Sequence, residues 1–179
     1  MRLLIFISKC RRVNNGWYSA VDVPATAAIT RSQSREVIPM KIEKTLQTPA
    51  AFLYSKIIAP VQADIAAANN QQVAAAELGG YAYRKQFPDG EWAKVKVTKN
   101  VIDREFAMLT VTRFSRFKVR YLITPLNANA SQVRVSETVQ PVNWAAQLKQ
   151  MVTELLVGNK RRRNYGRMLD SIERSYMTA

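Results

Sequence analysis

The amino-acid sequence predicts one α+β domain in which a curved antiparallel sheet wraps around a long C-terminal helix. The first observation is a series of five strand-like segments between residues 81 and 139, spaced by roughly ten residues. The second is the stretch 141–176, whose apolar residues recur every three or four positions, as on one side of a helix. Each strand has only one apolar face, so the sheet needs a cover, which the long helix supplies.

The long helix is predicted over residues 141–176. Its apolar stripe consists of Trp144, Leu148, Met151, Leu155, Tyr165, Met168, Leu169, Ile172 and Tyr176. Pro141 suits the first turn, because the N–H that proline lacks has no intrahelical partner there. Gly158 stands beside a basic patch between the two halves of the stripe, and glycine weakens a helix by about 1 kcal/mol relative to alanine. We therefore expect a kink or a frayed turn at Gly158.

The domain is predicted to begin with a strand and a short helix. Apolar and polar residues alternate over residues 40–47, as in a strand, although Lys44 interrupts the apolar face. Thr48 and Pro49 provide an N-cap and a first-turn proline. We expect the helix that follows to end at Pro60, because proline removes a hydrogen bond from a helix interior.

A second short helix and a five-stranded meander are predicted next. The helix covers residues 61–78 and is stopped by the two glycines that follow. The predicted strands cover residues 81–87, 91–99, 105–113, 117–124 and 131–139. Pro88, Asp89 and Gly90 form a hairpin turn between the first two, because proline fixes φ and glycine accepts a left-handed conformation.

Residues 1–39 differ from the rest of the chain. They are rich in Ser, Thr, Ala and Arg toward their end and have no helical or strand period, so we expect a poorly ordered extension. Because the patterned part opens at Met40, an alternative hypothesis is that translation starts at Met40. The predicted domain covers residues 40–176.

Composition excludes several classes of site. The chain of 179 residues has no histidine and a single cysteine, Cys10, so histidine triads, the usual zinc sites and an internal disulfide are excluded. The apolar run at residues 3–7 is too short for a signal peptide or a membrane span. We expect a cytoplasmic protein with no transmembrane segment, no cofactor and no metal.

The order of the elements is that of the helix-grip architecture, which is shared by lipid-transfer (START-like) proteins, pollen allergens and polyketide cyclases, the SRPBCC superfamily. Short segments of the sequence resemble one small bacterial family, domain of unknown function 3284. These segments are residues 40–45 with 49–57, residues 94–99, and residues 160–163 with 168–173. The resemblance extends from residue 40 to about residue 176. It implies the helix-grip fold and no particular chemistry, because the family has no established activity.

The space between the long helix and the sheet is the candidate ligand site. Its expected lining is Phe52, Ile57, Tyr83, Trp92, Phe106, Met108, Tyr121, Trp144, Leu148, Met151 and Leu155. Aromatic and methionine side chains suit a small apolar or amphipathic ligand, which hydroxyl and indole groups could orient. The alternative is that these residues fill a dry core.

A second candidate surface is basic. The chain has 27 Lys and Arg residues against 13 Asp and Glu residues, a net charge of +14. An anion-binding cluster is expected at Lys160, Arg161, Arg162, Arg163 and Arg167, reinforced by sheet cations at Lys94, Lys96, Lys99, Arg113, Arg116, Lys118 and Arg120. An acidic protein or an anionic membrane would be its partner. The alternative is a solvated surface, and because no nucleic-acid-binding motif is present, nucleic acid is not expected.

No catalytic residue is assigned from the sequence. It contains no glycine-rich nucleotide motif and no nucleophile elbow. Glu137 or Glu154 could act as an acid or a base if buried, or could simply pair with an arginine. The leading hypothesis is therefore non-catalytic binding of a small ligand between helix and sheet, the usual role in the superfamily. The runner-up is a regulatory protein that docks through the basic helix, and a cyclase- or hydrolase-like enzyme comes third.

Overall fold

The structure is a computed structural model that describes residues 40–88, 90–141 and 144–178, with the backbone alone at residues 141 and 144–159. In chain order the elements are β1 (Met40–Leu46), α1 (Ala50–Asn69), a 3₁₀ helix (Ala75–Leu78), β2 (Ala82–Gln86), β3 (Trp92–Val101), β4 (Glu105–Val111), β5 (Ser115–Asn127), β6 (Ala130–Pro141) and α2 (Trp144–Met177). The predicted extension at residues 1–39 lies outside the described residues.

The six strands form one antiparallel sheet in the order β1-β6-β5-β4-β3-β2. The meander from β2 to β6 follows the chain, and β1 joins it by pairing with β6, with Met40 opposite Glu137 and Leu46 opposite Ser131. The sheet is curved and carries the helices on one side. The predicted α+β helix-grip fold is therefore confirmed.

The two faces of the sheet differ because successive side chains of a strand point to opposite sides. On β5, Val119, Tyr121 and Ile123 are buried, whereas Lys118 and Arg120 are exposed. We call the side with the buried residues the concave face and the other side the convex face. The hydrophobic core lies between the concave face and the helices.

Helix α1 is longer than predicted, because it continues through Pro60. Proline in a helix interior removes one hydrogen bond and costs roughly 3 kcal/mol. Ile57, Ile58, Val61 and Ile65 are all buried on both sides of the proline, and their packing offsets this cost. Instead of two short helices, the structure has one helix of 20 residues followed by a short 3₁₀ turn.

Two predicted helix ends are also shifted. Pro49, not Thr48, occupies the N-cap position of α1, and no side chain caps the helix. Pro141 is the last residue of β6, opposite Ser115, instead of lying in the first turn of α2. Because β1 pairs with β6 only as far as Glu137, Pro141 has a neighbouring strand on one side alone, where proline is tolerated. Helix α2 itself continues without a break through Gly158.

The C-terminal half of α2 is fixed to β1 and α1 by polar and aromatic contacts. Lys44, the residue that interrupts the apolar face of β1, donates a hydrogen bond to Asp170 in an ion pair. The backbone N–H of Gln47 donates to Glu173 at 2.7 Å. The rings of Phe52 and Tyr176 lie 4.9 Å apart between centroids. The ion pair with Asp170 on α2 therefore accounts for a charged residue on the inner face of β1.

Replacing Pro60 by alanine should stabilise the protein, since it restores an N–H donor inside a continuous helix. We expect a gain of roughly 1–3 kcal/mol in the free energy of unfolding, measured by urea denaturation. The matched control is Pro49→Ala at the start of the same helix, where proline costs nothing and little change is expected. Equal effects of the two substitutions would show that Pro60 does not strain the helix.

Candidate functional site

A patch of the concave face is only partly buried at the end of the sheet where β6 leads into α2. Met108 and Thr110 on β4 and Phe117 on β5 are half-buried, and Val119 beside them is buried. The register joins them, because Met108 pairs with Val119 and Thr110 pairs with Phe117. We call these four residues the concave patch.

The central part of the concave face is closed. Phe106, Ile123, Val133 and Val135 are at most 2% exposed, and Leu46 at the end of β1 is completely buried. Helix α1 and the C-terminal part of α2 supply the residues that cover this half of the sheet. The partial exposure of the concave patch is therefore a local feature of one end of the sheet.

A polar cluster borders the concave patch. Glu137 lies opposite Val119 on β6 and points to the concave side. Its two carboxylate oxygens accept hydrogen bonds from Arg161 at 3.1 Å and from the hydroxyl of Tyr165 at 2.7 Å, both on α2. The Tyr165 ring meets the ring of Tyr121 edge-on, with centroids 6.4 Å apart. Glu137 thus has a donor for each oxygen, and the cluster links sheet to helix.

Both tyrosines of this cluster resist ionisation. Burial raises the pKa of Tyr121 well above its usual value of 10.0, and its hydrogen bond to Tyr165 opposes that shift only in part. The pKa of Tyr165 is also raised, chiefly by burial and then by the neighbouring Tyr121 and Glu137. The two hydroxyls therefore remain protonated at neutral pH and can act as neutral hydrogen-bonding groups.

The predicted ligand-lining residues do not all lie together. Ile57, Tyr83, Phe106 and Tyr121 are buried in the main core, and Phe52 is packed at its edge. Met108 alone among them belongs to the concave patch. The side chains of Trp144, Leu148, Met151 and Leu155 lie outside the described residues.

Trp92 lies on the opposite side of the sheet from the predicted pocket. Its side chain is 42% exposed on the convex face, because it alternates with the buried Ala93. There it lines an open depression of about 460 Å³ together with Ala82, Tyr83, Arg84, Ala93, Lys94, Val111, Thr112 and Arg113. The guanidinium of Arg84 lies 5.4 Å from the centre of the Trp92 ring.

The two groups of cations lie on separate surfaces. On α2, Arg161 is held by Glu137, whereas Lys160, Arg162, Arg163 and Arg167 are exposed. The sheet cations Lys94, Lys96, Lys99, Arg116, Lys118 and Arg120 project from the convex face, and Arg113 follows β4 at the same end of the sheet as Trp92. The sequence suggested that these sheet cations reinforce the cluster on the helix. They do not, because α2 covers the concave face and the sheet cations lie on the convex face.

Of the two carboxylates considered for catalysis, the structure describes the side chain of Glu137, which is engaged in an ion pair. Besides Glu137 with Arg161, Glu105 pairs with Arg120 at 2.8 Å. The side chain of Glu154 lies outside the described residues. In the described ranges, no three acidic, histidine or cysteine side chains are grouped as metal ligands would be, and no helix is both long and apolar enough to cross a bilayer.

Comparison with known proteins places the chain in a family. Residues 40–158 match the family described as Domain of unknown function (DUF3284). The chain belongs to this family. The match ends before residues 160–173, so the similarity noted there in the sequence is not part of it. No curated protein matches the chain.

Solved structures with TM-scores of 0.50 or more share the fold at low sequence identity. A crystal structure of a protein from Mesorhizobium loti has a TM-score of 0.50 and 10% identity, covering 76% of this chain and 94% of that one. A solution NMR structure of a protein from Arthrobacter aurescens has a TM-score of 0.53 and 12% identity, covering 78% and 88%. The crystal structure of Ara h 8.0201 has a TM-score of 0.48 and 12% identity, covering 79% and 98%.

Sequence reasoning missed Thr110, Phe117, Val119 and Tyr165 as members of this site. The strand alternation could have found the first three, because each stands two positions from another inward residue. Nothing in the sequence joins Tyr165 to Glu137, which lie 28 residues apart in the chain and meet only through the packing of α2 on β6.

The raised pKa values of Tyr121 and Tyr165 predict a loss of stability at alkaline pH. The folded chain keeps both protons above pH 10, whereas the unfolded chain releases them, so the stabilisation is complete below about pH 10 and declines above it. Each tyrosine contributes a slope of up to about 1.4 kcal/mol per pH unit. Urea midpoints at pH 8 and above pH 10 measure this slope.

The control is the double variant Tyr121→Phe/Tyr165→Phe, which lacks both hydroxyls and keeps every other residue. Its midpoint should decline less between the two pH values. Parallel declines in both proteins would contradict the inferred burial of the two hydroxyls.

Proposed function

We propose that the protein binds a small apolar or amphipathic ligand, without catalysis, on the concave side of the sheet between the sheet and α2. The observation that carries the proposal is the incomplete burial of the concave patch. Met108 and Phe117 are half-buried, whereas Phe106, Tyr121 and Ile123 on the same two strands are buried. An apolar ligand would remove this surface from water, at roughly 25 cal/mol for each Å² buried.

The composition of the patch suits such a ligand. Methionine is flexible and polarizable and adapts to ligands of different shape, and the phenylalanine ring of Phe117 offers a flat apolar surface. Thr110 adds one hydroxyl within the patch. An apolar lining with a few polar groups is typical of small-molecule sites.

The polar cluster supports an amphipathic ligand in particular. Arg161 uses one guanidinium nitrogen for Glu137 and keeps further N–H donors, and its side chain is 34% exposed. A carboxylate or phosphate at one end of a ligand could contact these donors while the apolar end covers Met108 and Phe117. Tyr121 and Tyr165 lie beside this position as neutral hydroxyls.

A second candidate function is docking on an anionic membrane through α2. Lys160, Arg162, Arg163 and Arg167 are exposed and have no acidic partner among the described residues. Basic clusters of this size bind anionic lipid surfaces with about 1 kcal/mol per cation. Co-sedimentation with phosphatidylglycerol vesicles should fall with added salt and in the variant Arg162→Gln/Arg163→Gln. Binding that ignores both changes would exclude this surface.

Ligand binding can be tested by native mass spectrometry of the protein purified from its own host, followed by extraction of anything bound. We expect a reproducible adduct in the wild type. Met108→Trp should abolish the adduct, because the larger ring fills the concave patch. The matched control is Leu109→Trp, which adds the same ring to the convex face of the same strand and should retain the adduct.

Two results would contradict ligand binding at the concave patch. A clean unliganded mass, with thermal stability unmoved by a panel of fatty acids and aromatic metabolites, would contradict the proposal. So would an adduct that both tryptophan variants retain. Circular dichroism and thermal unfolding of Met108→Trp show whether a lost adduct reflects a filled site or a failed fold.

A further inference from the structure

We propose that the convex face of the sheet is a docking surface for an acidic amphipathic helix of a partner protein. The register of β3, β4 and β5 places a cation, an apolar residue and a second cation in line across the strands. One such row is Lys94, Val111 and Arg116, and the next is Lys96, Leu109 and Lys118. The four cations therefore flank a narrow apolar floor, and we call this arrangement the convex groove.

The flanking cations are available to a partner. Lys94, Lys96, Arg116 and Lys118 are exposed, and none of them forms an ion pair with another described residue. Elsewhere on this face the acids are already used, since Glu105 pairs with Arg120 and Glu43 pairs with Arg134. The four cations of the convex groove thus carry positive charge that no described acidic residue balances.

The width of the groove fits a helix. Two of its cations lie on β3 and two on β5, with β4 between them. The distance between β3 and β5 is about 9.6 Å at the usual interstrand spacing. An α-helix with its side chains is about 10–12 Å across. A helix lying along β4 would set an apolar stripe on Leu109 and Val111 and bring acidic residues on both of its sides toward the lysines and Arg116.

One end of the groove offers an anchor point. The depression of about 460 Å³ is lined by Trp92, Arg84 and Arg113 and shares Lys94 and Val111 with the groove. Trp92 is 42% exposed there. Interfaces gain most of their affinity where a large side chain enters such a pocket, and tryptophan and arginine are enriched at these positions.

The same geometry argues against other anionic partners. A planar lipid surface would touch the cations but would not reach the half-buried floor between them. Single-stranded nucleic acid is usually bound by aromatic rings on which the bases stack, whereas this floor is aliphatic and Arg84 already lies over Trp92. A helix with an apolar stripe flanked by acidic residues matches both the apolar floor and the flanking cations.

The test uses a synthetic helical peptide whose leucine stripe is flanked on both sides by glutamates, and an isomeric peptide with the same residues scrambled around the helix. Titration calorimetry at physiological salt should show the patterned peptide binding at least about tenfold more tightly. The charge-reversal variant Lys96→Glu/Lys118→Glu should weaken that binding by at least about tenfold. The matched control Arg162→Glu/Arg163→Glu changes the net charge equally on α2 and should alter it by less than about twofold.

Each alternative result overturns the proposal. Equal binding of the two peptides, or equal losses in the two variants, would mean that only net charge is recognised. Binding of single-stranded RNA or of phosphatidylglycerol vesicles that requires Lys96 and Lys118, in the absence of peptide binding, would assign the face to a different polyanion. The four residues replaced in the two variants, Lys96, Lys118, Arg162 and Arg163, are all exposed. Both variants should therefore fold, which thermal unfolding verifies.

Discussion

The alternation of side chains along the strands is the constraint on which the rest of the structure depends. On β3, Ala93, Val95 and Val97 are buried while Lys94 and Lys96 are exposed, and β5 repeats the pattern. A shift of one residue in either of these strands would bury lysines and expose valines. The register therefore produces both surfaces at once: an apolar face that needs helices as a cover, and a cationic face that remains in contact with water.

The cover is held by contacts that join distant parts of the chain. Lys44 and Glu137 are charged residues on the concave face, and each is matched by a group on α2, namely Asp170 and Arg161. Both ion pairs are partly buried, and each one is compatible with a single position of the helix. They fix where α2 lies on the sheet, and so decide which concave residues stay partly open.

The fold was predictable because its signals are periodic. Six strands, the hairpin turn at Gly90 with its φ of 86° and the long helix all follow from alternation, turn chemistry and spacing. The errors arose where packing overrides local preference: Pro60 is carried within α1 by buried neighbours on both sides, and Pro141 ends a strand that has lost one partner.

The site was less predictable, because it depends on which face a residue occupies and on long-range contacts. Trp92 was grouped with interior aromatic residues by its chemistry, although the alternation with Ala93 already placed it beside Lys94. Similarly, the sheet cations were combined with those of α2 because both groups are basic, whereas the sheet separates them. The contact between Tyr165 and Glu137 could be found only from the packed structure.

Binding of a ligand in the concave patch can be measured by NMR of the protein with ¹³C-labelled methionine methyl groups during titration with dodecanoate. Met108 lies in the patch, whereas Met177 is 63% exposed at the end of α2 and serves as an internal reference. We expect a saturable shift of the Met108 methyl resonance while that of Met177 stays in place. An unmoved Met108 resonance at saturating dodecanoate, or equal small shifts of both methyl groups, would contradict it.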